Sequence, residues 1–289
     1  MPELPEVETI RRQLEEKIVG KTIKDVEVRL PRIFPDKKED VVGTKIVSVK
    51  RRAKVLIMDL SNGKSLMVHF KLTGQMVYSE ESQENVYFPQ GIPFAGNYLP
   101  SKTTHVIFTF EDGSRLFYND NRQFGWIKVF NDSKLILTKD TFLKKLGPEP
   151  FTPEFTLEKF SEACKKWGRP VKLLLLEQDK ISGIGNIYAN EALFCAGIDP
   201  QKKAKELNSE ETETLFNCII KVLEMGIKYS GSSGKDESYI TPDGKPGGMQ
   251  EHFNVYQRDG QLCTKNCGGR IQRMELGGRG TFFCPACQK

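Results

Sequence analysis

The chain has 289 residues, of which 28% are charged, with a formal net charge of +5. That length admits two core-bearing domains, and no apolar run approaches the ~20 residues of a membrane span. No secretory signal precedes the charged N-terminus, so the expectation is a soluble cytoplasmic protein without a membrane partner. A mild basicity permits a polyanionic partner but does not require one.

In chain order, the first helix starts at Pro5, which suits an opening turn because its missing N–H has no partner there. Val7, Ile10, Leu14 and Ile18 follow at helical spacing, and Glu6 and Glu8 sit where the helix dipole favours carboxylates. Pro2 has a chemical reading as well as a structural one. Removal of Met1 would leave Pro2 with a free secondary amine, which titrates near ~8 and is partly nucleophilic at neutral pH. Attack on an aldehyde-level carbon would give an iminium, an electron sink that acidifies the adjacent C–H. Glu3 lies beside that amine as a candidate general acid or base.

From 20 to 130 the chain alternates β-rich runs with turns, at Thr22–Leu30, Lys45–Lys50, Lys54–Leu60, Ser65–Phe70, His105–Phe110, Arg115–Tyr118 and Trp126–Phe130. Ser61-Asn62-Gly63 and Glu111-Asp112-Gly113 read as hairpin turns, and Glu80–Ser101 reads as a long loop. After residue 150 the period becomes helical, at Leu157–Trp167, Val171–Gln178, Ile187–Cys195 and Glu210–Tyr229. Gly231–Gly248, rich in Gly and Ser, reads as a mobile loop. The expected fold is α+β: a β-sandwich with a packed N-terminal helix over 1–131, a linker over 132–150, a helical domain over 151–260, and a cysteine segment over 261–289.

That last segment holds four of the seven cysteines, spaced C-x3-C, sixteen residues, C-x2-C. Without a secretory signal such clustering favours metal over a disulfide framework. Thiolates of Cys263, Cys267, Cys284 and Cys287 can surround one structural Zn²⁺, and so short a segment has little core without it. From Gln261 onward, Lys265, Arg270, Arg273, Arg279 and Lys289 face Glu275 alone, so most of the net charge lies where a nucleic-acid surface is expected. Gly183-Ile184-Gly185-Asn186 opens a helix whose free N–H groups suit a phosphate.

Met1-Pro2-Glu3-Leu4-Pro5-Glu6-Val7-Glu8-Thr9 with Arg11-Arg12 resembles the N-terminus of bacterial formamidopyrimidine-DNA glycosylases. The resemblance continues through Arg51-Arg52-Ala53-Lys54, His69–Gly74, Asn119–Gly125, the glycines before Asn186 and the cysteine segment. It implies base-excision repair: extrusion and removal of oxidised purines from double-stranded DNA, then cleavage at the abasic site by β,δ-elimination, carried out by a monomer. By resemblance Pro2 is the nucleophile, Glu3 the acid, Glu6 fixes the active-site geometry, and Lys54 assists β-elimination. Arg279 grips phosphates and aids the final δ-elimination from a β-hairpin. Leu72, standing where the family has Met, wedges into the emptied stack, and Arg122 and Phe124 fill it and read the orphaned base. His69, Asn186 and Tyr256 fall among the DNA contacts, and Asn186 opens the second helix of a helix–two-turn–helix. Gly231–Gly248 matches the segment that folds over the flipped base. Gln123 replaces an arginine and should remove one backbone contact.

The related endonuclease VIII group, which acts on oxidised pyrimidines, usually has Gly in place of Leu4. A lesion-binding module without catalysis would need neither Pro2, Glu3 nor Lys54.

Overall fold

The computed structural model describes residues 1–234 and 238–289. Residues 235–237, part of the expected capping loop, lie outside the described residues. The chain forms two compact units: residues 1–144 with 229–250, and residues 145–228 with 251–289.

The first unit begins with α1 (Leu4–Ile18), whose Leu4, Val7, Ile10, Leu14 and Ile18 are fully buried. Burying each such side chain contributes about 1.5–3 kcal/mol, enough to anchor a helix of this length. Ten strands follow: β1 (Ile23–Val28), β2 (Ile46–Arg52), β3 (Val55–Leu60), β4 (Ser65–His69), β5 (Gly74–Ser79), β6 (Val86–Ile92), β7 (Gly96–Leu99), β8 (Thr104–Phe110), β9 (Arg115–Asp120) and β10 (Trp126–Phe130). A short helix α2 (Ile136–Lys139) comes after them. Two antiparallel four-stranded sheets have the orders β1-β8-β9-β5 and β10-β4-β3-β2. Val26, Met76, Phe108 and Tyr118 of the first sheet share a core with Val49, Leu56, Leu66 and Ile127 of the second, and α1 adds its apolar stripe to it.

Two features depart from the sequence reading. Residues 80–101, expected as a loop, contain the antiparallel pair β6–β7. Its Val86, Ile92 and Leu99 cover Val77, Ile107 and Phe117, the outward residues of the first sheet. Their strands are apolar on both faces, which explains why period-two alternation does not mark them. The second departure concerns Gly231–Gly248, expected to be mobile. Tyr239 is buried in the main core and Ile240 in the outer cluster, and the Tyr78 N–H donates to the Pro242 carbonyl at 2.8 Å. Residues 239–242 therefore pack with the β-sandwich, although the expectation counted them with the helical domain.

The second unit contains α3 (Leu157–Lys166), α4 (Val171–Leu176), α5 (Asn186–Ala196) and α6 (Ser209–Lys228), followed by the hairpin β11 (Gln272–Leu276) and β12 (Arg279–Phe283). Residues 145–150, expected as linker, are already part of it: Gly147 N–H donates to the Gln178 carbonyl, and Pro148 accepts from the Ser182 N–H. α5 ends at Gly197 in a left-handed cap. A disulfide joins Cys195 of α5 to Cys218 of α6, a pairing that the scattered positions of these cysteines do not announce. Phe194, Val255, Ile271 and Phe282 form a small core with Cys263 and Cys284. Among the described residues no helix is long and apolar enough to cross a membrane.

Candidate active site

In the first unit the chemistry gathers at the head of α1. Pro2 is buried, and Glu3 and Glu6 are 3% and 1% exposed. Glu3 occupies the N-cap, and its N–H donates to Glu6 Oε2 at 2.7 Å within a reciprocal capping box. The other Glu6 oxygen accepts the Ser232 N–H at 2.9 Å. Glu6 thus ties the start of the chain to the segment expected to cap the base. Gly231, beside it, has φ +75°, and a Cβ there would stand 2.8 Å from Glu6 Cγ, so this close approach requires glycine.

Lys54 is 7% exposed, on the tight turn between β2 and β3, where Ala53 has φ +51°. Glu8 places this turn against the helix start. Arg51 Nε donates to Glu8 Oε2 at 3.0 Å, and Arg51 Nη1 donates to the Ala53 carbonyl at 3.0 Å. Glu8 also accepts from Arg11 and Arg12. Burial alone would raise the Glu8 pKa, but the hydrogen bonds and charges of these three guanidinium groups outweigh it and hold the carboxyl at about 2.

A depressed carboxylate stabilises the fold fully above its unfolded pKa of about 4.5, and that contribution is lost as pH falls from there towards 2. Glu8→Gln is expected to flatten the acid limb over that window. At pH 7, after allowance for solvent screening, it should cost about 1–2 kcal/mol. Urea midpoints at pH 7 and pH 3 check this.

His69 ends β4, its ring 5.6 Å from Trp126 and 5.7 Å from Phe142. Burial, reinforced by Lys71 and Lys54, lowers its pKa to about 3. It is therefore neutral near pH 7. Its Nδ1 accepts the Lys71 N–H at 3.0 Å, which leaves Nε2–H as a donor.

Asp120, fully buried, organises the next loops. It accepts from the Thr73 hydroxyl and, at 2.7 Å, from the Gly125 N–H. Thr73 in turn accepts the Arg122 N–H at 2.9 Å. Leu72 and the Arg122–Phe124 loop are thereby brought together, with Phe124 53% exposed and the Arg122 guanidinium 4.9 Å from its ring centroid. Gln123 accepts a hydrogen bond from the Arg32 guanidinium. Asp120, Thr73 and Arg51 lie in the quoted motifs and Glu8 in the first turn of α1, but their positioning roles rest on partners remote in the chain or on another loop.

In the second unit, Asn186 Nδ2 donates to the Gly280 carbonyl at 3.0 Å, joining the start of α5 to the β11–β12 hairpin that carries the exposed Arg279. Lys172, fully buried and also not foreseen, donates to the same carbonyl and to Thr281 Oγ1, at 2.9 and 2.7 Å. Glu191 accepts the N–H groups of Asn254, Val255 and Tyr256, which fixes Tyr256. The four sulfurs of Cys263, Cys267, Cys284 and Cys287 lie within 4.8 Å of one another, with Cys263–Cys287 at 3.7 Å and Cys267–Cys284 at 3.6 Å. A tetrahedron of thiolates about 2.3 Å from Zn²⁺ has edges near ~3.8 Å, so the set fits one zinc ion. In the longer first knuckle Asn266 has φ +53°, a conformation asparagine tolerates.

These two units define the class: a DNA glycosylase that also cleaves the abasic strand. Family models match the chain as the formamidopyrimidine-DNA glycosylase N-terminal domain over residues 1–127, its H2TH domain over 146–238, and the zinc finger found in FPG and IleRS over 260–289. A formamidopyrimidine-DNA glycosylase of Carboxydothermus hydrogenoformans is 40% identical over the whole of both chains. That of Pelotomaculum thermopropionicum is 39% identical over all of this chain and 99% of its own. The crystal structure of the MutM (FPG) protein of Thermus thermophilus superposes with a TM-score of 0.85 at 36% identity, covering 99% of this chain and 98% of its own. The Lactococcus lactis Fpg complex with DNA containing an abasic site has a TM-score of 0.85 at 34% identity and covers 99% of each chain. The chain belongs to the formamidopyrimidine-DNA glycosylase family.

Proposed function

We propose that the protein excises oxidised purines such as 8-oxoguanine and formamidopyrimidines from double-stranded DNA and then cuts on both sides of the abasic site. A base inside the duplex is out of reach, so the nucleotide is extruded, with Leu72, Arg122 and Phe124 filling the gap it leaves. Pro2, freed of Met1, attacks the sugar C1′ as the glycosidic bond breaks and the base departs. Glu3 protonates the ring oxygen, the ring opens, and the Pro2 nitrogen becomes an iminium. Loss of a C2′ proton then expels the 3′ phosphate, and a second elimination expels the 5′ phosphate. Water releases Pro2 from the remaining sugar fragment.

Glu6 holds the helix start in place, Lys54 and Arg279 neutralise developing phosphate charge, and His69, Asn186 and Tyr256 contact the backbone. The four cysteines bind zinc as a structural ion, because four protein ligands leave no open position for chemistry. The work is that of a monomer in the bacterial cytoplasm, at the nucleoid where the substrate lies. The observation that supports this reading best is the buried Pro2-Glu3 pair, capped by Glu6, in a chain that matches the family over its whole length.

Borohydride trapping on a duplex carrying 8-oxoguanine opposite cytosine tests it. The expected result is a covalent adduct mapped to Pro2. An adduct only with an oxidised pyrimidine would transfer the protein to the endonuclease VIII specificity. Tight binding without any adduct would leave a lesion-binding module.

A further inference from the structure

Gln75 has no part in the chemistry above, yet it is 2% exposed and its amide is spent on two other segments. It lies on β5, three residues after Leu72, opposite Asn119 of β9. Its neighbours Met76 and Tyr78 enter the main core, while Val77 joins the outer cluster under the β6–β7 hairpin. Gln75 Nε2 donates to the Ser238 carbonyl at 2.9 Å and reaches the Pro93 carbonyl, at the turn of that hairpin, at 3.4 Å. One buried donor thus joins the sheet, the hairpin and the segment expected to cover the extruded base.

The hairpin supports the same segment further on. Ile240 packs with Ile92, and Gly244 at φ +75° lies so close that a Cβ there would be 3.0 Å from Ile92 Cδ1 and 3.2 Å from Phe88 Cδ1. On its other flank the segment is held by the Glu6–Ser232 bond. Ser232 is held through Glu6 of the nucleophile's helix, whereas Ser238 is held through Gln75, outside that helix.

We propose that Gln75 is a positioning residue for base excision, acting through the Ser238 carbonyl and backed by the β6–β7 hairpin to fix the base-capping segment. This rests on the function proposed above. A capping segment matters while a base is bound, and an abasic site has none. The two half-reactions should therefore respond differently, whereas a merely structural role would move both.

Gln75→Met keeps the volume and removes the donor. Single-turnover excision of 8-oxoguanine opposite cytosine is expected to fall about 10–30-fold, since a small misplacement in a site of this kind is costly. Cleavage of a preformed abasic site should stay within twofold of the parent. Gly244→Ala, at the hairpin contact, should show the same split, and Tyr87→Ser, on the exposed side of the hairpin, should change neither rate. Excision at the parental rate in both Gln75→Met and Gly244→Ala overturns the assignment. So does a parallel fall of both reactions with the melting temperature. If the parent protein itself leaves 8-oxoguanine in place, the proposed function fails, and the assignment of Gln75 falls with it.

Discussion

Pro2→Gly is expected to lower strand cleavage at an abasic site by about 10²–10⁴-fold and to reduce the borohydride-trapped adduct in proportion. Glycine would still present an N-terminal amine, so the loss measures what the secondary amine and its fixed position supply. Proline forms an iminium that is cationic without a further proton, whereas a primary amine gives an imine that must first capture one. The buried position of Pro2 sharpens the effect, because its ring is packed at the head of α1 and glycine would leave the first residue free to wander. Steady-state cleavage and trapping on one abasic duplex measure both quantities. Cleavage within tenfold of the parent, with no trapped adduct at residue 2, would remove Pro2 from the role of nucleophile and redirect attention to the buried Lys54.

Zinc removal should have an effect of similar size by a different route. Structural zinc contributes about 10–16 kcal/mol in isolated fingers, far more than the small core of Phe194, Val255, Ile271 and Phe282 can replace. Cys284→Ser is expected to yield protein with less than one zinc per chain and DNA affinity lowered at least about 100-fold. The reason is geometric. β11 and β12 lie between the two cysteine pairs, and Arg279 stands at the start of β12, so loss of the metal frees the residue that should grip the phosphates. Metal analysis with fluorescence anisotropy on a lesion duplex reads both. A folded, zinc-free variant that binds DNA normally would defeat the structural-zinc reading.

Much of the site was legible because its signals are local in the chain. The Pro-Glu-x-Pro-Glu start, Lys54 on its turn, the Asn119–Gly125 loop and the cysteine spacing each lie within a few residues, and short-range chemistry suffices to read them. Helical periodicity likewise placed α1, α3, α4, α5 and α6, since each buries one stripe against a core or is buried nearly all round.

The residues that hold these pieces in register were hidden for the opposite reason. Glu8 meets Arg51 across 43 positions, Thr73 meets Asp120 across 47, and Gln75 meets Ser238 across 163. No periodicity or spacing rule links such positions, so only the folded chain reveals that they are partners. The same holds for β6–β7 and for the docked 238–248 segment. Both looked like loops from their Gly, Pro and polar content, and both are ordered by apolar contacts with the outer face of a sheet.

By itself, then, the sequence determined the chemical groups: a proline at position 2, the carboxylates beside it, the cations and the thiolates. It also determined the local elements that carry them, because propensity, capping and ligand spacing act over one or two turns. Tertiary structure alone decided which of those groups meet, how Glu6 and Gln75 pin the two flanks of one segment, and which buried carboxylates position neighbouring loops. Those outcomes depend on burial and long-range hydrogen bonds, which exist only once the sheets and helices have closed on their cores.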